Sequence, residues 1–226
     1  MTKAVIFDIE GTIGDIAFVR NVLFPYARKR LRAFLEAQWN TPEIRDIVQA
    51  AREASGKALP DIGAAVTQFA EWIDEDRKIT PLKTLQGLIW REGYESGELK
   101  AHLYDDAVQA MRTYASTHKR LFIYSSGSVA AQKLYIAYSI AGDLSSMIEG
   151  YFDTTTGPKG EATSYAAIAR SIDVQPGDIV FYSDAPAEVM ASRSAGMVAV
   201  CVNRGGLVQT AGLAPDIKII VDFNDR

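Results

Sequence analysis

The chain has 226 residues, 48% hydrophobic and 23% charged, the balance of an ordinary soluble globular protein. Its 24 basic and 28 acidic residues give a net charge of −4, which argues against the basic footprint of a nucleic-acid binder. The one cysteine, Cys201, excludes an internal disulfide and fits a reducing compartment.

Met1-Thr2-Lys3 runs directly into an apolar strand, Ala4–Phe7, leaving no room for a signal peptide. No apolar stretch approaches a membrane span, so the expectation is a cytoplasmic protein without a membrane partner. The strand is followed by Asp8-Ile9-Glu10-Gly11-Thr12. Side chains at i and i+2 of an extended segment share a face. Asp8 and Glu10 are then held close, at a cost that a cation or a shared proton must offset. The plainer reading is strand-to-helix punctuation, with Asp8 as a cap before Gly-Thr.

Residues 16–104 carry no strand pattern. Phe18, Val19, Val22 and Leu23, then Tyr26, Leu31, Phe34 and Leu35, recur at helical spacing, with Pro25 starting a new helix or kinking the first. Arg28-Lys29-Arg30-Leu31-Arg32 lies within that pattern and reads as a solvated helix face. Ile62, Val66, Phe69, Trp72 and Ile73 form a second stripe, and Thr80-Pro81 opens a third helical segment. Trp90, Glu92 and Tyr94 in that segment are either substrate-facing or core-packing residues. His102 and His118 read as surface residues. From there on, the short apolar runs Leu121–Tyr124, Ile179–Tyr182, Val198–Val202 and Ile217–Val221 alternate with helical stretches at Val129–Ala141 and Ser164–Ile172. Such alternation predicts an α/β fold, a doubly wound parallel sheet with helices on both faces. The boundaries follow: a core of residues 1–15 and 105–226, and an inserted all-helical cap domain at 16–104. Cys201, inside an apolar run, is expected to be a small buried hydrophobe.

The remaining strand ends carry polar groups too. Leu121–Tyr124 runs into Ser125-Ser126-Gly127-Ser128, Ile179–Tyr182 into Ser183-Asp184, and the loop before Ser164 carries Lys159 between Pro158 and Gly160. Singly, the serines and Asp184 read as helix caps and Lys159 as a solvated loop residue. Together they can meet, because the carboxyl ends of parallel strands converge on one edge. Hard carboxylate oxygens suit Mg2+, while Ser and Lys donors suit phosphoryl oxygens.

Asp8-Ile9-Glu10-Gly11-Thr12 resembles the first motif of the haloacid-dehalogenase-like phosphohydrolases, Ser125 resembles the second, Lys159 the third and Asp184 the fourth. With AFVRNVLFPYARKRLRAFL at 17–35, LQGLIWREGYESGEL at 85–99 and FIYSSGSVAAQKL at 122–134, the chain is similar over residues 4–204 to the enolase-phosphatase family of methionine salvage. Two loops depart from the family pattern: Ile13-Gly14-Asp15 stands for Thr-Thr-Pro, and Pro158 stands before the lysine in place of His. The resemblance implies a HAD-like fold and a substrate of 2,3-diketo-5-methylthiopentyl-1-phosphate type, enolised and then dephosphorylated. It implies Asp8 as nucleophile, Glu10 as acid and base or as a metal ligand, and Lys159, Ser125 and Ser126 on the phosphate. Mg2+ would be held by Asp8, Glu10 and Asp184. The rivals are a HAD-type phosphatase for another small phosphomonoester, a dehalogenase and a phospho-acceptor signalling domain. The sequence leaves the oligomeric state open and is compatible with a monomer.

Overall fold

The computed structural model describes residues Thr2–Asp225. The chain divides into two compact units, one running up to Ile16 and again from Lys100 onward, the other Ala17–Leu99.

The first unit is a six-stranded, wholly parallel sheet in the order β3-β2-β1-β4-β5-β6. The strands are β1 Ala4–Phe7, β2 Arg120–Tyr124, β3 Ile148–Phe152, β4 Ile179–Ser183, β5 Val198–Val202 and β6 Lys218–Ile220. β1 lies between β2 and β4, in register Phe7 to Ile123 on one side and Phe7 to Tyr182 on the other. All four of its residues are fully buried, as expected for a central strand covered on both faces. β3 was not anticipated: Gly150 interrupts its apolar run and three of its five residues are only half-buried.

Four of this unit's helices are α6 Asp105–Ser116, α7 Val129–Ala137, α8 Ala162–Ser171 and α9 Pro186–Ser194. Tyr165, Ile168 and Ala169 of α8 pack with Ala4, Ile6, Phe122, Ile179 and Phe181 in one core layer. Cys201 is buried with Val189, Ala199 and Ile217 in a smaller cluster. Residues 100–104, expected in the helical insert, belong to the sheet unit instead. Ala101 exchanges backbone hydrogen bonds with Tyr138 and Ile140, and the Tyr104 N–H donates to the Ile13 carbonyl. His102 is half-buried rather than a surface residue, its Nδ1 accepting from the Asp15 backbone N–H at 3.3 Å.

The second unit is entirely helical. A short turn, α1 Ile16–Phe18, leads through a π-helical turn at Val19–Leu23 into α2 Phe24–Gln38. The backbone stays helical across the junction, and Pro25 stands in the first turn of α2, as expected of a residue that starts a new helix. It lacks the N–H for an i→i−4 bond, and the wider turn absorbs the defect, the Phe24 N–H reaching back to the Val19 carbonyl. Then come α3 Pro42–Ser55, capped by Thr41, α4 Ile62–Asp74, capped by Asp61, and α5 Thr80–Glu95. Leu31, Leu35, Ile44, Val48, Phe69, Trp72, Leu85 and Ile89 form its own core. Tyr94 is buried, Trp90 stacks on Phe24 and donates to the Leu23 carbonyl, and Glu92 pairs with Arg30. All three are thus tied into the helical unit's own structure.

Candidate active site

The end of β1 carries Asp8, whose N–H continues the ladder to the Tyr182 carbonyl at 2.9 Å. The residue is only 3% exposed. Oδ1 accepts from the Lys159 ammonium at 2.6 Å and Oδ2 from the Ser183 hydroxyl at 3.4 Å. The chain then turns sharply, the N–H groups of Thr12, Ile13 and Gly14 converging on the Ile9 carbonyl. Gly11 sits in the left-handed region at φ +72°, and a Cβ there would lie 2.0 Å from Asp184 Oδ2. No side chain fits at that position, because the carboxylate of Asp184 occupies the space.

Glu10 points to the β2 side of Asp8, where both of its carboxylate oxygens accept from the Ser125 hydroxyl, at 3.0 and 3.3 Å. Burial first, and the charge of Asp8 second, push its carboxyl above the usual range. Ser125 ends β2, is buried, and also accepts from the Gly127 N–H. The capping role weighed for the serines falls to Ser128, which accepts from the Ala131 N–H. Ser126, next to Ser125, is exposed.

Lys159 is not the solvated loop residue of the plainer reading. It is 7% exposed and pairs with Asp8 at 2.6 Å and with Glu188 at 2.7 Å. Three hydroxyls hold the loop that presents it: Tyr124 donates to the Gly157 carbonyl, Ser164 to the Pro158 carbonyl and Tyr165 to the Lys159 carbonyl. Burial alone would lower the lysine, but the two carboxylates outweigh it and keep the ammonium above its ordinary range.

Asp184 follows β4. The N-cap of α9 is Ala185, with no side-chain cap, so Asp184 does not serve as the cap expected of it. Its backbone N–H donates to the Thr12 hydroxyl at 3.0 Å. Burial, followed by the Asp8 charge, pushes its carboxyl up to about 6. Glu188, absent from the sequence reading, stands in the first turn of α9, accepts from Ser183 at 2.9 Å and shares Lys159 with Asp8. Burial and the charge of Asp8 push its carboxyl up to about 7. Its signal was available: an acid four residues after Asp184, in a helix that starts at a strand end, returns to the same edge.

The structure thus brings Asp8, Glu10, Ser125, Lys159 and Asp184 to one edge of the sheet and adds Glu188. Among the described residues no three acidic, His or Cys side chains gather into one metal-holding group, so the side-chain cage of Asp8, Glu10 and Asp184 is not formed. The physical reason is that Glu10 turns away to Ser125. A site of fewer protein ligands still fits Mg2+, which binds through one or two carboxylates and completes its shell with water and substrate phosphate. The raised carboxyl of Asp184, held up in part by Asp8 and Glu10, marks a place where a cation relieves repulsion.

The profile of the haloacid dehalogenase-like hydrolases matches residues 2–196. The chain is 47% identical over 225 residues to the enolase-phosphatase E1 of Aquifex aeolicus, covering 100% of this chain and 99% of that protein. It is 46% identical to the enolase-phosphatase E1 of Alcanivorax borkumensis, over 99% and 97% of the two chains. Among solved structures, the UTR4 protein of Saccharomyces cerevisiae superposes with a TM-score of 0.82 at 32% identity, over 100% of both chains.

Proposed function

The chain belongs to the haloacid dehalogenase-like hydrolase family, and from that premise we propose that it is a bifunctional enolase-phosphatase. Its substrate is 2,3-diketo-5-methylthiopentyl-1-phosphate, enolised and then hydrolysed to the acireductone 1,2-dihydroxy-3-keto-5-methylthiopentene and phosphate, a step of methionine salvage. The observation that carries the phosphatase half is the buried Lys159–Asp8 contact of 2.6 Å at the end of the central strand. An ammonium there orients the carboxylate and stands ready to neutralise the phosphoryl oxygens the carboxylate attacks.

In this reading an oxygen of Asp8 attacks phosphorus in line, giving an aspartyl-phosphate. Lys159 and Ser125 donate to the phosphoryl oxygens, where charge is concentrated in the transition state, and the exposed hydroxyl of Ser126 assists. Glu10, its carboxyl raised by burial and by Asp8, suits a general acid for the leaving oxygen and, once ionised, the base for the water that frees phosphate. Glu188 fixes the ammonium from the other side, so that Lys159 serves the site rather than solvent. Asp8 and Asp184 would hold Mg2+, which when bound offsets the charge of the substrate phosphate. The helical unit is assigned the part of the family's inserted cap.

The test is phosphate release over a panel of small phosphomonoesters that includes the diketo compound, with Mg2+ and with EDTA. The expected result is Mg2+-dependent release, fastest on the diketo phosphate. Preference for another ester would keep the phosphatase and remove the enolase step; no release from any ester would remove both.

A further inference from the structure

Asp8 and Asp184 follow neighbouring strands, β1 and β4, and Thr12 lies behind them. Thr12 is fully buried, and its hydroxyl accepts the backbone N–H of Asp184. Its carbonyl accepts from Arg204 Nε at 2.9 Å. The carbonyl and the hydroxyl hang from the same Cα, so a partner that holds the one restrains the backbone that carries the other toward Asp184.

Arg204 is itself held on several sides. Its two terminal nitrogens form a fork to Asp106, at 3.2 and 2.8 Å, and its guanidinium carbon lies 3.9 Å from the centre of the Tyr104 ring and 5.6 Å from that of Phe223. Asp106 is anchored in turn, accepting from the Phe223 N–H at 2.8 Å. A forked, stacked guanidinium has little rotational freedom left, so its third donor direction is fixed before it meets Thr12. A solvated arginine would wander and deliver no such constraint; this one is 16% exposed.

We propose that Arg204 is a positioning residue: by holding the Thr12 carbonyl it sets the distance between Asp8 and Asp184. The inference rests on the reading of those two as the working carboxylates. The other role open to Arg204 is to tether the C-terminal turn around Phe223 and nothing more. The two roles differ in what they predict for a molecule that remains folded.

The experiment compares Arg204→Met and Arg204→Lys with the parent protein. Lysine keeps the charge and one donor for the Thr12 carbonyl but cannot keep the fork to Asp106 as well. For each, kcat and KM are measured on whichever ester the parent turns over, and Mg2+ affinity by calorimetry on metal-stripped protein. Thermal unfolding reports the folded fraction. The expected result is a fall in kcat and in Mg2+ affinity of about 10- to 100-fold for Arg204→Met, the scale of losing an outer partner of a metal-binding side chain. KM stays within a few-fold, and Arg204→Lys recovers part of both losses. A variant that is less stable but keeps the parent's kcat and Mg2+ affinity would overturn the proposal in favour of the tether. Failure of both variants to fold would also overturn it, since Arg204 would then be a residue of stability. Should the parent turn over no ester, the proposed activity fails by itself, and the Mg2+ affinities of the variants alone decide this inference.

Discussion

Replacing Lys159 by Met removes the ammonium that lies between Asp8 and Glu188, at 2.6 and 2.7 Å, and leaves one buried and one half-buried carboxylate without it. Breaking a buried pair by deleting one partner costs about 3–5 kcal/mol. For a chain of this size each kcal/mol moves the melting temperature by about 2–4 °C, so an apparent Tm about 6–20 °C lower is expected. The loss should depend on pH, with a definite sign. Glu188 is pushed up to about 7 even with Lys159 present, and without the cation its carboxyl rises further. A folded-state carboxyl above its unfolded value stabilises the fold at low pH and loses that contribution as pH rises through the folded value. The deficit of Lys159→Met against the parent is therefore smaller at pH 5.5 than at pH 8, and adding Glu188→Gln recovers part of it. Thermal unfolding in EDTA at both pH values reads this directly. A Tm within about 2 °C of the parent at pH 8, or a deficit equal at both, would refute the reasoning. Turnover should fall by at least ~10²-fold, the scale for losing one preorganised donor to a transition state.

Asp8→Asn keeps the shape of the nucleophile without its charge; with the diketo phosphate it should still build up the enol chromophore but release no phosphate, and release at the parent rate would remove Asp8 from the mechanism. Asp184→Asn removes a carboxylate that repels Asp8, so metal-stripped protein should be no less stable while its Mg2+ affinity falls; unchanged affinity by calorimetry would take Asp184 out of the metal site. EDTA should abolish phosphate release and excess Mg2+ restore it, and full turnover in chelator would sink the metal assignment. Gly11→Ala forces a Cβ into the Asp184 carboxylate at a φ that favours glycine, so kcat should drop more than about tenfold; turnover equal to the parent's would show that the Asp184 position is not critical.

The strands that sequence periodicity located are those with an apolar run, the exposed edge strand β6 included. Ala4–Phe7 and Val198–Val202 have the predicted bounds, because continuous apolar runs ending in polar groups leave little choice. β3 escaped because an edge strand with a glycine at its centre has neither the run nor the alternation. At the site, Asp8, Glu10, Ser125 and Asp184 were legible as polar groups placed directly at strand ends. Lys159 was legible only as a lysine in a loop; its burial depends on Tyr124, Ser164 and Tyr165 pinning that loop from other elements. Glu188 carried a local signal in its place one turn after Asp184, whereas Arg204 meets Thr12 from 192 residues away, and no local pattern announces that pairing.

The central place of β1 has a consequence for how the molecule is made. The strand that leads into Asp8 is synthesised before every other strand of the sheet, yet its neighbours are residues 120–124 and 179–183. At about 5–20 residues per second, the second neighbour arrives on the order of ten to thirty seconds after the first strand emerges. Ala17–Leu99 carries its own apolar core and has what it needs to collapse in that interval, whereas parallel pairing across such separations is slow by nature. A ribosome stalled before Ser183 therefore carries a helical half ready to fold beside an apolar first strand with one edge still unpaired, a state inclined to join the strands of other nascent chains.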